Sequence, residues 1–435
     1  MSINVKMNIV ESLQTLWGIL IIILLVFRYK YGLVAALSYF ILVPMEYFPG
    51  LKGVSWEHIE YLILFAFIVA NKHQRIKQVN IKPFIPILLY FIVSLLFMFF
   101  QNDTPLDYEL KRIKRDFILC LILPFVLWNQ MLNDKMSAKL FRRAFVICIF
   151  IIALYGLFLT AMPGVNPYIM LVNNIMGFEY KDDYLGDANR LFGRITSVFM
   201  HPMTFGCFLG LSLIFVYSVR SHLKKAFFVS LFLLICIDIV VCGVRSVVAA
   251  ILVAIVFYFF QARNYKIMAY AIIIGTVFYN IILQIPDMTE YLSSMSLSSN
   301  SEIGGSSFEL RVQQFNGCLL EIKDVLFFGK GYGWHNYYMI KNVIHPTIMA
   351  FESLVFVVLC DSGIVGAALW IFVFCLIVRY NNANYSKDIA SVLNATVVFY
   401  YSYACITGEY EFMKYFVLVY TLILGSQELK NKNNI

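Results

Sequence analysis

The residues of this sequence best suited to chemistry are cations and acids set inside or beside apolar runs. In "GRITSVFMHPMTFG", which begins at Gly193, Arg194 stands at the mouth of an apolar run and His201 inside it, followed by Pro202. In "CGVRSVVAAIL", Arg245 and Ser246 occupy a short turn between two apolar runs. Arg311 lies in "FELRVQQFNGCLLEIKDVLF", and Lys330 follows in the glycine turn "FGKGYG". "AFESLVFVVLCDSGIVG" places Glu352, Ser353 and Asp361 in another apolar run, shortly after His345. Arginine suits phosphate because its planar fork donates two parallel charge-assisted hydrogen bonds and stays charged. A charge at the bilayer centre costs at least about 2.5–3.5 kcal/mol, and less near the interface. Each arginine alone therefore also reads as a side chain snorkelling to lipid headgroups. Arg194, Arg245 and Arg311 together, on one side of the membrane, read as a site for an anionic headgroup.

His201 lies seven residues after Arg194. On a continuous helix that is nearly two turns, so both would point the same way, with His201 about 10 Å deeper. Pro202 then predicts a kink, and His201 reads as the residue that braces it in preference to a proton-transfer group. Glu352 is expected about one and a half turns into a helix that starts at Pro346, where a carboxylate is expensive unless it faces protein or water. It reads as a base or acceptor-positioning group, or as the structural partner of an arginine. Asp361 reads as the cap of a helix break, and Asp238 in "CIDIVV" is a second acid without a role. His335 and His345 are alternative bases. Lys330 in its glycine turn has the outline of a phosphate cup, although such turns are common. No carboxylate cluster with metal spacing is visible, so neither a metal nor a cofactor is expected.

These residues must be held by apolar helices. The 435-residue chain is 61% hydrophobic and 14% charged, with a mean hydropathy of +0.76. A soluble domain is about a quarter charged, so a soluble enzyme is excluded. Runs such as "GILIIILLVF" lack the alternation of barrel strands, which leaves an all-α, polytopic integral membrane protein. Candidate spans are 12–27, 32–49, 57–71, 84–101, 116–132, 142–162, 195–219, 225–242, 246–261, 266–285, 346–379, 388–406 and 411–426. This predicts about 12–14 transmembrane helices in one domain, 1–435. The first run lacks a small-residue cleavage site and reads as a retained helix. The net charge of +8 reports cytoplasmic Lys and Arg rather than nucleic-acid binding. "NKHQRIKQ", "NDKMSAKLFRR", "RSHLKK", "RNYK" and the "KNKNN" tail fit the inside, so the loops 163–193 and 286–345 fall outside. The basic stretch "ELKRIKRD" at 109–116 would face out and violates the rule. Nine cysteines are scattered, nearly all in apolar runs, with Cys318 in a long loop. They suggest no disulfide framework or metal spacing.

The large loop has internal order. After a flexible Ser/Gly stretch, Phe308, Val312, Phe315, Leu319, Ile322 and Leu326 recur as one helical face. That helix is short and amphipathic, too polar to span, and should lie on the bundle or at the interface. The run from Pro346 to Tyr380 is too long for one span, since thirty-odd residues at about 1.5 Å each exceed a core of about 30 Å. Gly363 offers a break, which predicts a half-helix over 346–362 followed by a full span. Interrupted helices line cavities rather than lipid.

In their order, "GRITSVFMHPMTFG", "CGVRSVVAAIL", an outer loop with "R…FGKGYG", and "ES…DSGIVG" resemble the O-antigen polymerase and ligase superfamily of bacterial membrane glycosyltransferases. The resemblance covers roughly residues 190–380; the N-terminal half is similar only in being a helix array. It implies a multi-pass protein of the bacterial cytoplasmic membrane with its site on the extracytoplasmic side. The substrate would be a lipid-linked oligosaccharide on undecaprenyl diphosphate, among membrane lipids, and a chain-length regulator would be a possible partner. Arg194, Arg245 and Arg311 would hold the diphosphate. Glu352, or else His345, would take the proton of the acceptor hydroxyl, with His201, Ser246, Ser353 and Lys330 in support. The ligase branch has a His-Asn pair where this chain has Glu352 and Ser353, and that departure favours a polymerase. A ligase, or a flippase for the same lipid-linked sugars, is the alternative.

Overall fold

The computed structural model describes residues 9–43, 54–74, 79–101, 103–162, 165–176, 194–266, 268–269, 308–342, 345, 351–408 and 410–431. Among the described residues the chain is helical, with no β-strand. Six helices among the described residues are long and apolar enough to cross a membrane: Lys82–Phe100, Leu106–Asn133, Lys135–Thr160, Arg245–Ala262, Leu354–Asn384 and Lys387–Ile406. Shorter apolar stretches are Ser12–Phe27, Tyr29–Leu42, Pro202–Ser218 and Phe412–Gln427. The protein is thus an all-helical bundle with several helices of membrane-span length and composition.

In chain order the helices are α1 (Ile9–Phe27), α2 (Tyr29–Leu42), α3 (Trp56–Gln74), α4 (Ile85–Phe97), α5 (Leu106–Asn133), α6 (Lys135–Thr160), α7 (Pro167–Met176) and α8 (Pro202–Ser218). Then come α9 (Lys225–Val241), α10 (Arg245–Ala262), α11 (Phe308–Glu321), α12 (Trp334–Asn342), α13 (Leu354–Asn384), α14 (Lys387–Ile406) and α15 (Phe412–Asn431). Their ends gather at two ends of the bundle. One end is tied by Lys30 to Asp134 at 2.6 Å, Gln261 to Asn382 at 2.6 Å and Gln427 to the Ser218 carbonyl at 3.0 Å. The other is tied by Tyr168 to the Leu42 carbonyl at 3.1 Å and Lys114 to Glu57 at 2.6 Å, and it carries α11 and α12. We call the second the loop end. α5 and α14 each bury 78% of their most apolar stretch and α10 only 17%, so α5 and α14 sit inside the bundle and α10 on its rim. Aromatic rings fill the interior, with Tyr400 stacked on Phe416 at 4.5 Å and Phe145 edge-on to Phe215 at 4.7 Å.

Four helix starts lie seven or more residues from the sequence-based boundaries, each for a local reason. α5 begins at Leu106 rather than 116, with Pro105 extended at its N-cap and Asp107 and Glu109 in its first turn. Acids there complement the unpaired amides, so the helix continues through polar residues that a hydropathy window discards. α6 begins at Lys135 rather than 142, because Asp134 accepts the Met136 and Ser137 N–H groups at its N-cap. α8 begins at Pro202 rather than 195, and residues 194–201 are non-helical, with a turn at 197–198 and Ser197 left-handed at φ 50°. α13 begins at Leu354, because Ser353 is extended and its Oγ accepts the Val355 N–H. The expected half-helix over 346–362 is therefore shorter at its start; 346–350 lie outside the described residues. So do 163–164, 177–193 and 286–307 of the expected loops, and 270–285 of the expected span 266–285.

The face of α11 is also corrected. Val312, Phe315 and Leu319 are more than 40% exposed, whereas Gln314 and Cys318 are buried. The side against the bundle runs through Arg311, Gln314 and Cys318, one residue round from the apolar stripe; Ile322 is buried as expected. Cys318 packs against α13 at the Phe356 carbonyl and Cys360, and the apolar stripe points outward, as on a helix at a lipid interface.

Candidate functional site

The break in α13 and the glycine turn form one unit. Gly363 has φ 63° and ψ −163° inside an otherwise helical run. A break leaves carbonyls and amides without helical partners. Here the turn supplies them: Lys330 N–H donates to the Cys360 carbonyl at 2.8 Å and Gly331 N–H to the Asp361 carbonyl at 3.0 Å. In return, Ile364 and Val365 N–H donate to the Leu326 and Phe327 carbonyls at 3.0 and 3.1 Å. The Gly333 N–H donates to Asp361 Oδ2 at 2.8 Å, so Asp361 binds the loop rather than capping the helix. Gln101 Nε2 reaches across to the Asp361 carbonyl at 2.8 Å and also to Phe328. With the Gly329 N–H donating to the Val325 carbonyl at 2.8 Å, four amides of "FGKGYG" are occupied by protein, and the phosphate-cup expectation for that turn is corrected.

Lys330 is engaged as well. Its ammonium lies 2.6 Å from Glu321 and 4.0 Å from Asp103, over the Trp334 ring at 4.8 Å. The other Glu321 oxygen is 2.9 Å from His345 Nε2. Burial alone would raise the Glu321 carboxyl, but the hydrogen bonds from Lys330 and His345 outweigh it and hold it below its ordinary value. His345 is buried against Trp334 and Tyr338. One helical turn before Gln314 in α11, Arg311 forms an ion pair with Glu352 at 3.7 Å. Glu352 lies in an extended segment ahead of α13, not inside a helix. Its N–H donates to Gln314 Oε1 at 3.2 Å, and its carbonyl accepts from the Gly408 N–H at 3.0 Å. Ser353 Oγ donates to the Cys405 carbonyl at 2.7 Å.

A second group surrounds the starts of α8 and α10. Arg194 and His201 are not two turns apart on a helix, because the chain between them is non-helical. Asn166 Nδ2 donates to the Ser197 carbonyl at 2.7 Å, and Ser197 Oγ donates to the Ile152 carbonyl at 2.7 Å. Pro202 takes the first helical position, where its missing N–H costs nothing, so it starts α8 instead of kinking it. His201 is the N-cap, its Nδ1 accepting the Met203 N–H at 3.1 Å. Arg194 is close enough to act electrostatically on His201, and its Cγ passes 3.9 Å from the place a Gly243 side chain would take. Gly243 precedes Arg245, the first residue of α10, and Tyr403 stands beside Ser246. The buried Arg194 Nε has no hydrogen-bond partner among the described residues.

The end of α14 joins the two groups. Tyr403 Oη donates to the Met203 carbonyl at 2.7 Å and Thr407 Oγ1 to Met203 Sδ at 3.0 Å, while Cys405 and Gly408 hold Ser353 and Glu352. Arg194, His201, Arg245 and Ser246 thus stand on one side of this segment, and Arg311, Glu352 and Ser353 on the other, all at the loop end. His345 and Lys330 sit behind Glu321. Asp238 belongs to neither group: it is buried facing Gly156, and neither oxygen has a partner among the described residues.

Sequence reasoning missed the partners of the basic stretch 109–116. It stands at the loop end, and four of its cations meet acids: Lys111 with Asp107 at 3.6 Å, Arg112 with Asp116 at 3.4 Å, Lys114 with Glu57 at 2.6 Å and Arg115 with Glu411 at 3.1 Å. Tyr332 Oη donates to Asp116 at 3.0 Å and its ring stacks on Tyr410 at 4.8 Å. Arg112 packs beneath Gly333. Burial, then the charges of His345 and Arg112, hold His335 below its ordinary value, so its ring is neutral. The i,i+4 spacing of Asp107–Lys111 and Arg112–Asp116 was the available signal.

Among the described residues no group of three or more His, Cys, Asp or Glu could hold a metal ion. No known protein family matches the sequence, and no curated protein does.

Proposed function

We propose that this protein polymerises oligosaccharide units carried on a lipid diphosphate, transferring the growing glycan to a hydroxyl of an incoming lipid-linked unit. The observation that supports the reading is that the segments bearing Arg194, Arg245 and Arg311 lie at one end of an apolar bundle, near the end of α14, where Thr407 bonds Met203 and Gly408 bonds Glu352, the partner of Arg311. The acceptor hydroxyl attacks C1 of the donor sugar, the C1–O bond to the diphosphate breaks, and the hydroxyl proton passes to a base. The donor carries its own leaving group, so no nucleotide sugar enters. Arginines that meet charge growing on the departing diphosphate lower the barrier, because that interaction strengthens toward the transition state. Glu352 is the first candidate base. His345 is the second, and a specific arrangement favours it: Glu321 orients its ring as an acid orients a base. The finer topology belongs to the same proposal: about 12–14 spans in a bacterial cytoplasmic membrane, with the loop end outside and the opposite, lysine-bearing end inside.

The chain purified into lipid and given a lipid-linked repeat unit without nucleotide sugar should build a ladder of longer lipid-linked glycans. Transfer only to a different acceptor would support a ligase, and no covalent product would support transport. Arg194→Ala and Arg311→Ala should each lower the rate by about 10²–10³-fold while the protein stays in the membrane. Near-normal ladders from both would remove the diphosphate assignment.

A further inference from the structure

Cys318 on α11 and Cys360 on α13 have their sulfurs 3.4 Å apart, and both side chains are fully buried. They are the only two of the nine cysteines with a sulfur-to-sulfur hydrogen bond among the described residues. Cys318 stands two turns after Arg311 on the side of α11 that packs against α13. Cys360 sits three residues before the break at Gly363, where its carbonyl also takes the Lys330 amide.

We infer that Cys318 and Cys360 are a disulfide-forming pair that staples α11 to the broken helix in the mature protein. A disulfide bond is about 2.05 Å long, so the two sulfurs, 3.4 Å apart, have about 1.4 Å to close. Each thiol loses a proton and one electron. The two electrons and two protons pass to a thiol–disulfide oxidant, whose own S–S bond opens to two thiols as the new one forms. Because both sulfurs are buried, oxidation belongs to folding, before α11 docks; afterwards the same burial shields the bond from reductants. The staple fixes the register of α11, and with it the distance from Arg311 and Gln314 to Glu352. It requires an oxidising compartment, and so rests on the reading that puts the loop end outside the cytosol.

The test traps thiols in acid-quenched cells expressing the full chain with N-ethylmaleimide, then maps peptides by mass spectrometry without reduction. The expected result is one linked peptide pair containing Cys318 and Cys360, with the other seven cysteines alkylated. Cys318→Ser should free Cys360 for alkylation, and reductant present throughout the melt, which reaches the bond only as the chain opens, should lower the Tm of the wild type while leaving that of Cys318→Ser unchanged. Alkylation of both residues in the wild type overturns the inference, as does a disulfide between any other pair. Ladder synthesis by a protein with both thiols free would sink the staple and keep the glycan reading; a linked pair in a protein that builds no ladder would do the reverse.

Discussion

Replacing Gly363 by alanine tests whether the break in α13 is held by backbone-to-backbone packing. At φ 63° and ψ −163° the residue occupies a region that is essentially glycine's alone, and another residue there pays about 1–3 kcal/mol. The added Cβ would stand 2.5 Å from the Phe327 carbonyl carbon and oxygen. Main chain cannot swing aside as a side-chain tip can, so overpacking adds about 1–3 kcal/mol. The total is about 2–6 kcal/mol, or roughly 4–12 °C of Tm at about 2 °C per kcal/mol for a large chain. Gly243→Ala is the control. It has a similar φ of 66° but its Cβ would meet nothing closer than Arg194 Cγ at 3.9 Å, so only a conformational cost of about 1–2 kcal/mol applies. Gly329→Ala would place a Cβ 2.6 Å from the Gly363 amide nitrogen, so combined with Gly363→Ala it should cost less than the two separately, since both break one interlock. The assay is thermal unfolding of the detergent-purified chain followed by tryptophan fluorescence. A Gly363→Ala protein as stable as Gly243→Ala would refute the reasoning.

Other perturbations probe the polar contacts. The depressed Glu321 carboxyl stabilises the fold above the ordinary carboxylate range, and that contribution disappears as pH falls through its lowered value. Tm of the wild type should therefore drop more steeply below about pH 4 than Tm of Glu321→Gln, and parallel curves would contradict the Lys330–Glu321–His345 linkage. Asp238→Asn replaces a buried acid without a hydrogen-bond partner among the described residues by a group cheaper to bury; Tm should hold or rise, and a fall would show a partner that matters. Asn381 donates to Asn394 at 2.9 Å and accepts from Tyr420 at 2.6 Å. Asn381→Leu leaves the Asn394 side-chain carbonyl and the Tyr420 hydroxyl unpaired in the interior and should cost about 2–4 kcal/mol, read as a lower Tm; a neutral result would mean these two bonds carry no stability.

Much of the scaffold was legible in residue order because hydropathy and helical period are local properties. The apolar runs lie within the observed helices to a few residues over α9, α10 and α14, and the glycine in "DSGIVG" marks a real interruption. Errors arose where a polar segment folds for reasons outside hydropathy. Acids in a first turn extended α5, and a proline at the first helical position started α8 where a kink was expected. The outward stripe of α11 has the same origin: periodicity marks an apolar face but carries no information on whether lipid or protein covers it.

The sequence by itself determined the all-helical membrane character, the need for a break near Gly363, and the set of cations and acids left over once the apolar helices are drawn. Only the tertiary structure decided their partners. Arg115 meets Glu411 across 296 residues of chain, Arg311 takes Glu352, and Lys330 goes to Glu321 with His345 on the far oxygen. Apart from the i,i+4 pairs within α5, a charge finds its counterion through space at a few ångströms, and that distance is set by how helices pack, which no spacing along the chain records.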